Sequence, residues 1–420
     1  MGSSYSAPNY ILYAIPIFFL LMGVELVVAR RQGRRLYRFN DAISDLGCGI
    51  SQQVGGAFLS VITIGSYIWI YENIRLFELP LDAWWTWLIG FVLYDLCYYW
   101  LHRKSHEVNI LWAGHAPHHQ SEEYNLAVAL RQGLFQNPFT APFYWPLAVL
   151  GFHPVLFLVV GQIITLYQFW IHTRTIKSMG PLEWLFNTPA HHRVHHGRNP
   201  RYLDKNHAGT FIIWDKLFGT FQQEDEEPVY GTIVPLRSWN PLWAQVQYLV
   251  HLWKEARRSA NRRDLIRIWF MPTGWTPSKG KPLPYGGDPR PILSPPWDTP
   301  SHRALNGYVA VQFVVTLGLT VAFMIFHHAL SPWENGVLAG LVFLTLLGMG
   351  GVLEAKRWAL YAEPLRHGII ALAAGIYFGS IPVGFLSLLF GGIMSVWLLR
   401  SHSLFDTRHG GGRAMEPAQG

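Results

Sequence analysis

Between Gln132 and Thr173 the chain runs for 42 residues without an Asp, Glu, Lys or Arg. A membrane-spanning helix needs about 20 apolar residues, so this run is too long for one helix. Pro138, Pro142, Pro146 and the "GFHP" at Gly151–Pro154 interrupt it, and proline removes a backbone donor and crowds the preceding turn. The pattern predicts a helical hairpin that enters the membrane and returns. Tyr10–Ala29, Leu46–Ile70, Leu305–Pro332, Asn335–Leu353 and Gly368–Leu399 are further apolar runs, and Ala83–Leu101 is broken only by Asp95. Gly368–Leu399 is long enough for two short helices divided near "GSIP". Only 14% of the 420 residues are charged, against about 25% in soluble domains. The fold class is therefore all-α, a multipass transmembrane helical bundle.

The net charge of +7 does not indicate nucleic-acid binding, because the basic residues flank apolar runs and suit anionic lipid headgroups. Residues 1–9 carry no Lys or Arg, so no cleavable signal peptide is expected. Cys48 and Cys97 lie in apolar segments and make neither a disulfide framework nor a CxxC metal site. Placing "RRQGRRLYR" (Arg30–Arg38) in the cytoplasm by the positive-inside rule brings the third run back to the cytoplasmic side at Leu101. If residues 132–173 form a hairpin, "KEARRSANRRDLIR" (Lys254–Arg267) falls on that side too. Five regions follow: residues 1–45 as an N-terminal anchor and basic segment, 46–235 as the catalytic domain, 236–303 as an amphipathic helix and Pro/Gly-rich linker, 304–400 as C-terminal spans, and 401–420 as a tail. "WNPLWAQVQYLVHLWKEARR" reads equally as a helix on the membrane surface or one packed on the catalytic region.

Histidine is concentrated at the cytoplasmic ends. His102 and His106 are spaced i, i+4 and share a helical face. His115, His118 and His119 form HxxHH, and His192, His195 and His196 repeat it. His172 ends the hairpin and His191 adjoins the last box. A set of this size fits two metals with about four nitrogens each. Nitrogen donors without thiolate suit iron, copper or zinc. Structural zinc normally brings Cys and closes at four ligands, so iron with positions open to O2 makes better sense. His153, His251, His302, His327, His328, His367, His402 and His409 are isolated and read as ordinary core or surface residues. "HEVNI" lacks the second His of a zinc-protease HExxH, since Ile110 stands there. Glu107 and the intramembrane Asp95 are candidate catalytic-site carboxylates, each able to orient an imidazole N–H from behind. Asp204 and His207 are candidates to support the third box in the same way.

HxxxH, HxxHH and HHxxHH on a multipass chain resemble the fatty acid hydroxylase/sterol desaturase superfamily. "YYWLHRKSHEVNILWAGHAPHHQSEEYNLAVALRQ", "LYQFWIHT" and "NTPAHHRVHHGRNPRYLDKNHAGTFIIWDKLFGTF" narrow the likeness to its alkylglycerol monooxygenase family. "YENIRLFELP" belongs to the same set, and the similarity is traceable beyond residue 235 through "GWTPSKGKP" and the apolar C-terminal third. The family's boxes fall on His102 and His106, on His115, His118 and His119, and on His191, His192, His195 and His196; Glu107 also occupies a family position. His207 departs from the family, where Tyr is expected. The resemblance implies two iron ions, ether-lipid cleavage with O2, and tetrahydrobiopterin as reductant.

The expected reaction hydroxylates the carbon beside the ether oxygen, giving a hemiacetal that collapses to fatty aldehyde and glycerol. The apolar hairpin and third run would hold the alkyl tail, and Glu122, Glu123, Tyr124 and Asn125 the headgroup. No Gly-rich dinucleotide fingerprint is present, so electrons must come from an external donor. The alternative keeps the metals and changes the lipid, to sterol or fatty-acyl hydroxylation or desaturation. A metal transporter would need ligands at the bilayer midplane, and a di-haem carrier would need widely spaced His pairs within spans. The expected location is a bacterial inner membrane or the endoplasmic reticulum, with the active site facing the cytoplasm.

Overall fold

Where lipid replaces water, backbone polar groups must be satisfied within the segment, and the apolar runs accordingly become helices. In a computed structural model, which describes residues 5–405 apart from 6, 260, 276–295 and 301, the described residues are helices and loops with no strand. "GWTPSKGKP" after Trp275, most of the Pro/Gly-rich linker and residues 406–420 of the expected tail lie outside the described residues.

α1 (Tyr10–Arg31) is capped by Asn9, which accepts from the Leu12 N–H, and ends in Arg30 and Arg31, cations placed where the helix dipole favours them. α2 (Phe39–Ile74) contains the Leu46–Ile70 run. It starts before residue 45, so the expected edge of the anchor lies inside a helix. α3 (Trp84–Glu107) carries the first histidine pair on its last turns. After one extended residue, Val108, the chain enters α4 (Asn109–His119) with the second box. The uncharged run divides where proline and glycine predict, into α5 (Gln136–Leu150) and α6 (Pro154–Trp170). Gly151 sits at φ +92°, and a Cβ there would come within 2.0 Å of the Phe77 carbonyl oxygen, so no other residue fits.

α7 (Pro189–His195) presents the third box, and α8 (Ile213–Phe218) follows it. α9 (Pro241–Arg258) is the amphipathic segment, joined by α10 (Asp264–Phe270). It packs on the catalytic region: Leu252, Ala256 and Ile268 share a core with Ala113 of α4, and Tyr248 Oη donates to Asn109 Oδ1 at 2.7 Å. The C-terminal bundle is α11 (Arg303–Phe326), α12 (Pro332–Leu353), α13 (Ala359–Tyr377) and α14 (Ile381–Arg400). The last run divides at "GSIP", with Ser380 capping α14. Its core, with Val342, Leu346 and Met349, also takes in Ile50 and Val54 of α2, so the two halves share a wall.

Five of the described helices are long and apolar enough to cross a membrane: α1, α2, α11, α12 and α14. α3 does not reach that standard, although its apolar part was expected to span, because Trp and Tyr replace aliphatic residues along it and its last turns are polar.

Candidate metal centre

Four chain segments converge. The ends of α3 and α4, the second residue after α6, and α7 with its C-cap place nine imidazoles in two adjoining groups. His102, His106, His115, His119 and His195 form one; His118, His172, His192 and His196 form the other; all nine are buried. The helical spacing alternates neighbours between groups. In α4, His115 and His119 turn to the first and His118 to the second. In the third box, His195 and His196 split in the same way, and the His119 and His196 rings stack 4.3 Å apart where the groups meet.

Within each group the Nε2 atoms crowd together: His102 to His115 at 3.0 Å, His119 to His115 at 3.1 Å, His118 to His172 at 3.2 Å and His192 to His172 at 3.0 Å. Nitrogens bound to one metal at ~2.1 Å come about 3 Å apart, so these are spacings a shared ion produces. The opposite ring atoms are held by backbone carbonyls. His102 Nδ1 meets the His207 oxygen at 2.7 Å, His118 the Arg131 oxygen at 2.8 Å, His172 the Gln168 oxygen at 2.7 Å and His195 the Lys205 oxygen at 3.0 Å. A carbonyl accepts only N–H, which fixes the proton on Nδ1 and leaves the Nε2 lone pair for a ligand. Ring nitrogens of His106, His115, His192, His195 and His196 are buried without a hydrogen-bond partner. Buried polar atoms are rarely left so; a metal would satisfy the Nε2 atoms of His106, His195 and His196, whereas the unpartnered atoms of His115 and His192 are Nδ1, opposite the Nε2 that faces the group. Burial pulls His115, His119, His192, His195 and His196 well below the ordinary histidine value, and His118 to about 4. These imidazoles are therefore neutral, as ligands must be.

The carbonyls that orient His102 and His195 come from a loop in which Asp204 and Asn206 adopt left-handed backbone, at φ 56° and 55°. Asn206 holds itself there by bonding the His191 and Gln222 carbonyls and the Gln222 N–H. Asp215 accepts from the N–H groups of His207 and Ala208, both at 2.8 Å. Asp95 accepts from Thr210 N, Phe211 N and Trp214 Nε1. Asp95 thus fastens this loop and touches no imidazole, which corrects its expected role as an acceptor behind a histidine.

Other candidates are redirected too. Glu107 pairs with Arg103 at 2.8 Å and Lys104 at 2.6 Å and orients no ring; it is a partly exposed surface carboxylate at the end of α3. His191 lies outside both groups, beside Thr188 and edge-on to Phe221, because its position in α7 points it away from the face shared by His192, His195 and His196. Asp204 approaches the first box, with Oδ1 3.7 Å from His106 Nδ1. The His207 ring lies 5.1 Å from His106 with both nitrogens unpartnered, but it joins neither group. Glu122 accepts from Trp297 N and Glu123 pairs with Arg38. Asn125 bonds the Leu36 carbonyl and Ala127 N–H, and Tyr124 bonds the Ile171 carbonyl. All four have partners within the protein, and the Tyr124 ring lies against His172 and His196.

Arg131, not anticipated from the sequence, is fully buried. Its guanidinium bonds the Pro117 carbonyl at 2.6 Å, Ser44, Asp45 at 3.1 Å and Gln120, tying the end of α4 to α2. It is the only Lys or Arg between Lys104 and Arg174, and that isolation was the available signal.

Two cavities touch the histidines. One, of about 470 Å³, reaches His115, His118 and His172 and runs outward among α1, α2, α6 and α11. The other, of about 180 Å³, reaches His106, His119, His195 and His196 beside Trp112, Tyr248 and Arg198.

The family model for fatty acid hydroxylases matches residues 87–220, the stretch that holds all nine clustered histidines. The alkylglycerol monooxygenase of Xenopus tropicalis is 38% identical over 364 residues, covering 86% of this chain and 80% of the relative. The human one is 40% identical over 363 residues, covering 86% and 81%. That of Danio rerio is 38% identical over 375 residues, covering 87% and 82%. No solved structure matches the chain. Similarity of this order, carried far past the histidine segment into both flanking sets of helices, shows that the chain belongs to the alkylglycerol monooxygenase family of fatty acid hydroxylases.

Proposed function

We propose that this chain is an O2-dependent di-iron monooxygenase that oxidises the ether-adjacent carbon of alkylglycerol lipids and releases fatty aldehyde and glycerol, with tetrahydrobiopterin as the electron source. The observation that carries the metal assignment is the pair of adjoining all-imidazole groups, five rings and four. Neither has the closed, thiolate-bearing character of structural zinc, and two ions between them would satisfy the orphaned Nε2 atoms of His106, His195 and His196. When bound, the iron pair supplies O2 activation and insertion of one oxygen atom into a C–H bond.

The protein does the remaining work. The Nδ1-anchored imidazoles of His102, His118, His172 and His195 hold their lone pairs in place before any metal arrives. The larger cavity gives an alkyl chain a water-poor path to His115, His118 and His172, which keeps solvent from competing at the reacting carbon. The smaller cavity meets different histidines, so lipid and reductant need not share one route. Hydroxylation consumes O2, two electrons and two protons and releases one water; the hemiacetal then breaks its C–O bond without further redox change. The basic segments Arg30–Arg38 and Lys254–Arg267 support a cytoplasmic side for the centre by the positive-inside rule.

The test is product analysis. Iron-loaded protein in detergent, given reduced tetrahydrobiopterin and a 1-O-alkylglycerol in air, is expected to form fatty aldehyde by mass spectrometry, and His118→Ala is expected to abolish it. Iron-replete protein that yields no aldehyde but oxidises a sterol or fatty-acyl lipid would transfer the assignment to that substrate.

A further inference from the structure

The larger cavity is amphipathic along its length, and its polar end is the metal end. No Asp, Glu, Lys or Arg lines it. Beside the histidines its wall is made of amides. Gln132 follows Arg131, whose carbonyl holds His118; Gln136 lines the cavity with His115; Gln168 holds His172 through its carbonyl and accepts from Tyr98 Oη at 2.6 Å through its side chain. Gln52 reaches the same region from α2. Its neighbour Ser51 and the Gln132 carbonyl both bond Gln245, at 3.2 and 3.1 Å. Farther out the wall is mainly apolar, with Ile11, Ile15 and Phe18 of α1 and Phe313, Leu317 and Met324 of α11, two helices able to span a membrane; polar side chains there are taken up by backbone, Gln162 by Tyr10 N and the Pro8 carbonyl and Ser60, Thr165 and Thr320 by their own helices.

The amides are only partly used. Gln132 Nε2 donates to the Ala129 carbonyl at 2.8 Å, and Gln52 Oε1 accepts from Gln53 at 2.9 Å. That leaves the Gln132 oxygen and the Gln52 N–H groups to serve a ligand. Paired acceptors and donors without charge match hydroxyl groups, each of which donates once and accepts. An alkyl chain has no use for them.

We propose that the glutamine-lined end of this cavity, with Gln52 and Gln132 as its specificity-determining residues, binds the neutral, hydroxyl-bearing headgroup of the lipid. The substrate lies head inward, with its alkyl chain trailing between α1 and α11 into the membrane. This rests on the lipid-cleaving reading above and deepens it. The ether-adjacent carbon, at the junction of head and tail, then sits where polar wall meets apolar wall, beside His115 and His118. Glu122 and its neighbours, in the loop after α4, take no part in headgroup binding.

The experiment is anaerobic binding to the iron-loaded protein, where turnover stops. Two ligands with the same tail and ether oxygen are compared: 1-O-hexadecylglycerol and hexadecyl ethyl ether, which lacks hydroxyls. Wild-type protein is expected to prefer the glycerol ether. Gln52→Leu and Gln132→Leu are each expected to reduce that preference about tenfold, the scale of one hydrogen bond. Affinity for the ethyl ether should hold, which also certifies folding. A preference absent in wild type, or unchanged in both variants, overturns the headgroup site. Aldehyde formation in air is scored separately on wild-type protein. Aldehyde with an unchanged binding preference removes the site and keeps the reaction; no aldehyde with a glutamine-dependent preference removes the reaction and keeps the site.

Discussion

Two regions of this chain bury polar side chains among apolar helices, and they do it differently. In the C-terminal bundle, Tyr308 Oη donates to Glu363. Arg366 bonds Glu363 at 2.7 and 2.8 Å, Thr345 at 3.1 Å and Gln312 at 3.0 Å. His367 completes the set between Gln312 and Ser395. Every one of these residues is partnered, and Gly348 is required because a Cβ there would lie 1.9 Å from Glu363 Oε1. At the histidine groups the Nε2 atoms of His106, His195 and His196 are buried without a partner, and those of His102, His115, His118, His119, His172 and His192 meet only one another. A buried polar network that closes on itself specifies packing; one left open toward a common point specifies a ligand. The lone His367 and the clustered His195 are the same residue type in the two situations.

The comparison can be broken at either end. The largest effect is expected from His195→Ala or His192→Ala, each removing a nitrogen from one group. Turnover should fall more than the ~10–100-fold typical of outer partners, with metal lost from the corresponding group in elemental analysis. Arg131→Met comes next. It leaves Asp45 buried without its partner, for which about 3–5 kcal/mol of destabilisation is expected, read by denaturation, together with weaker iron retention because α4 is released from α2. Glu363→Gln weakens the closed network by about 1–3 kcal/mol, yet iron content and turnover per folded molecule should stay within about twofold; collapse of both would mean the C-terminal network serves the centre. Acidification of metal-free protein should be graded. Burial lowers the pKa of His115, His118, His119, His192, His195 and His196, so between the ordinary histidine value and about 4, where His118 titrates, the unfolded chain takes up protons that the folded one refuses. Stability is expected to fall as pH drops through that window, seen as a declining melting temperature. The smallest effect belongs to Glu107→Gln, whose partly exposed ion pairs are worth less than about 1 kcal/mol; iron content should not change.

Much of the centre could be read in the chain. The i, i+3, i+4 spacing assigns imidazoles to one helical face before any contact is known, and Gly151–Pro154 marks where the hairpin divides. What spacing cannot supply is the return of distant backbone. The carbonyls of Lys205 and His207 reach the boxes because Asn206 and Asp204 turn left-handed and Asp95 and Asp215 fasten the loop, a three-dimensional arrangement with no local periodicity. Asp95 and Glu107 are carboxylates near histidines in sequence, but one bonds a loop 115 residues away and the other its own helix. His191 adjoins its box in sequence and points away in space, since neighbouring helical residues differ by about 100°.

The central claim is that two neighbouring imidazole groups hold two irons. The measurement that tests it most directly is metal content per chain in protein purified with iron, wild type beside His192→Ala and His195→Ala. Two irons in wild type, falling to about one in each variant, is the expected result. One metal or none in the wild type, or zinc retained in place of iron under iron-replete conditions, would contradict it.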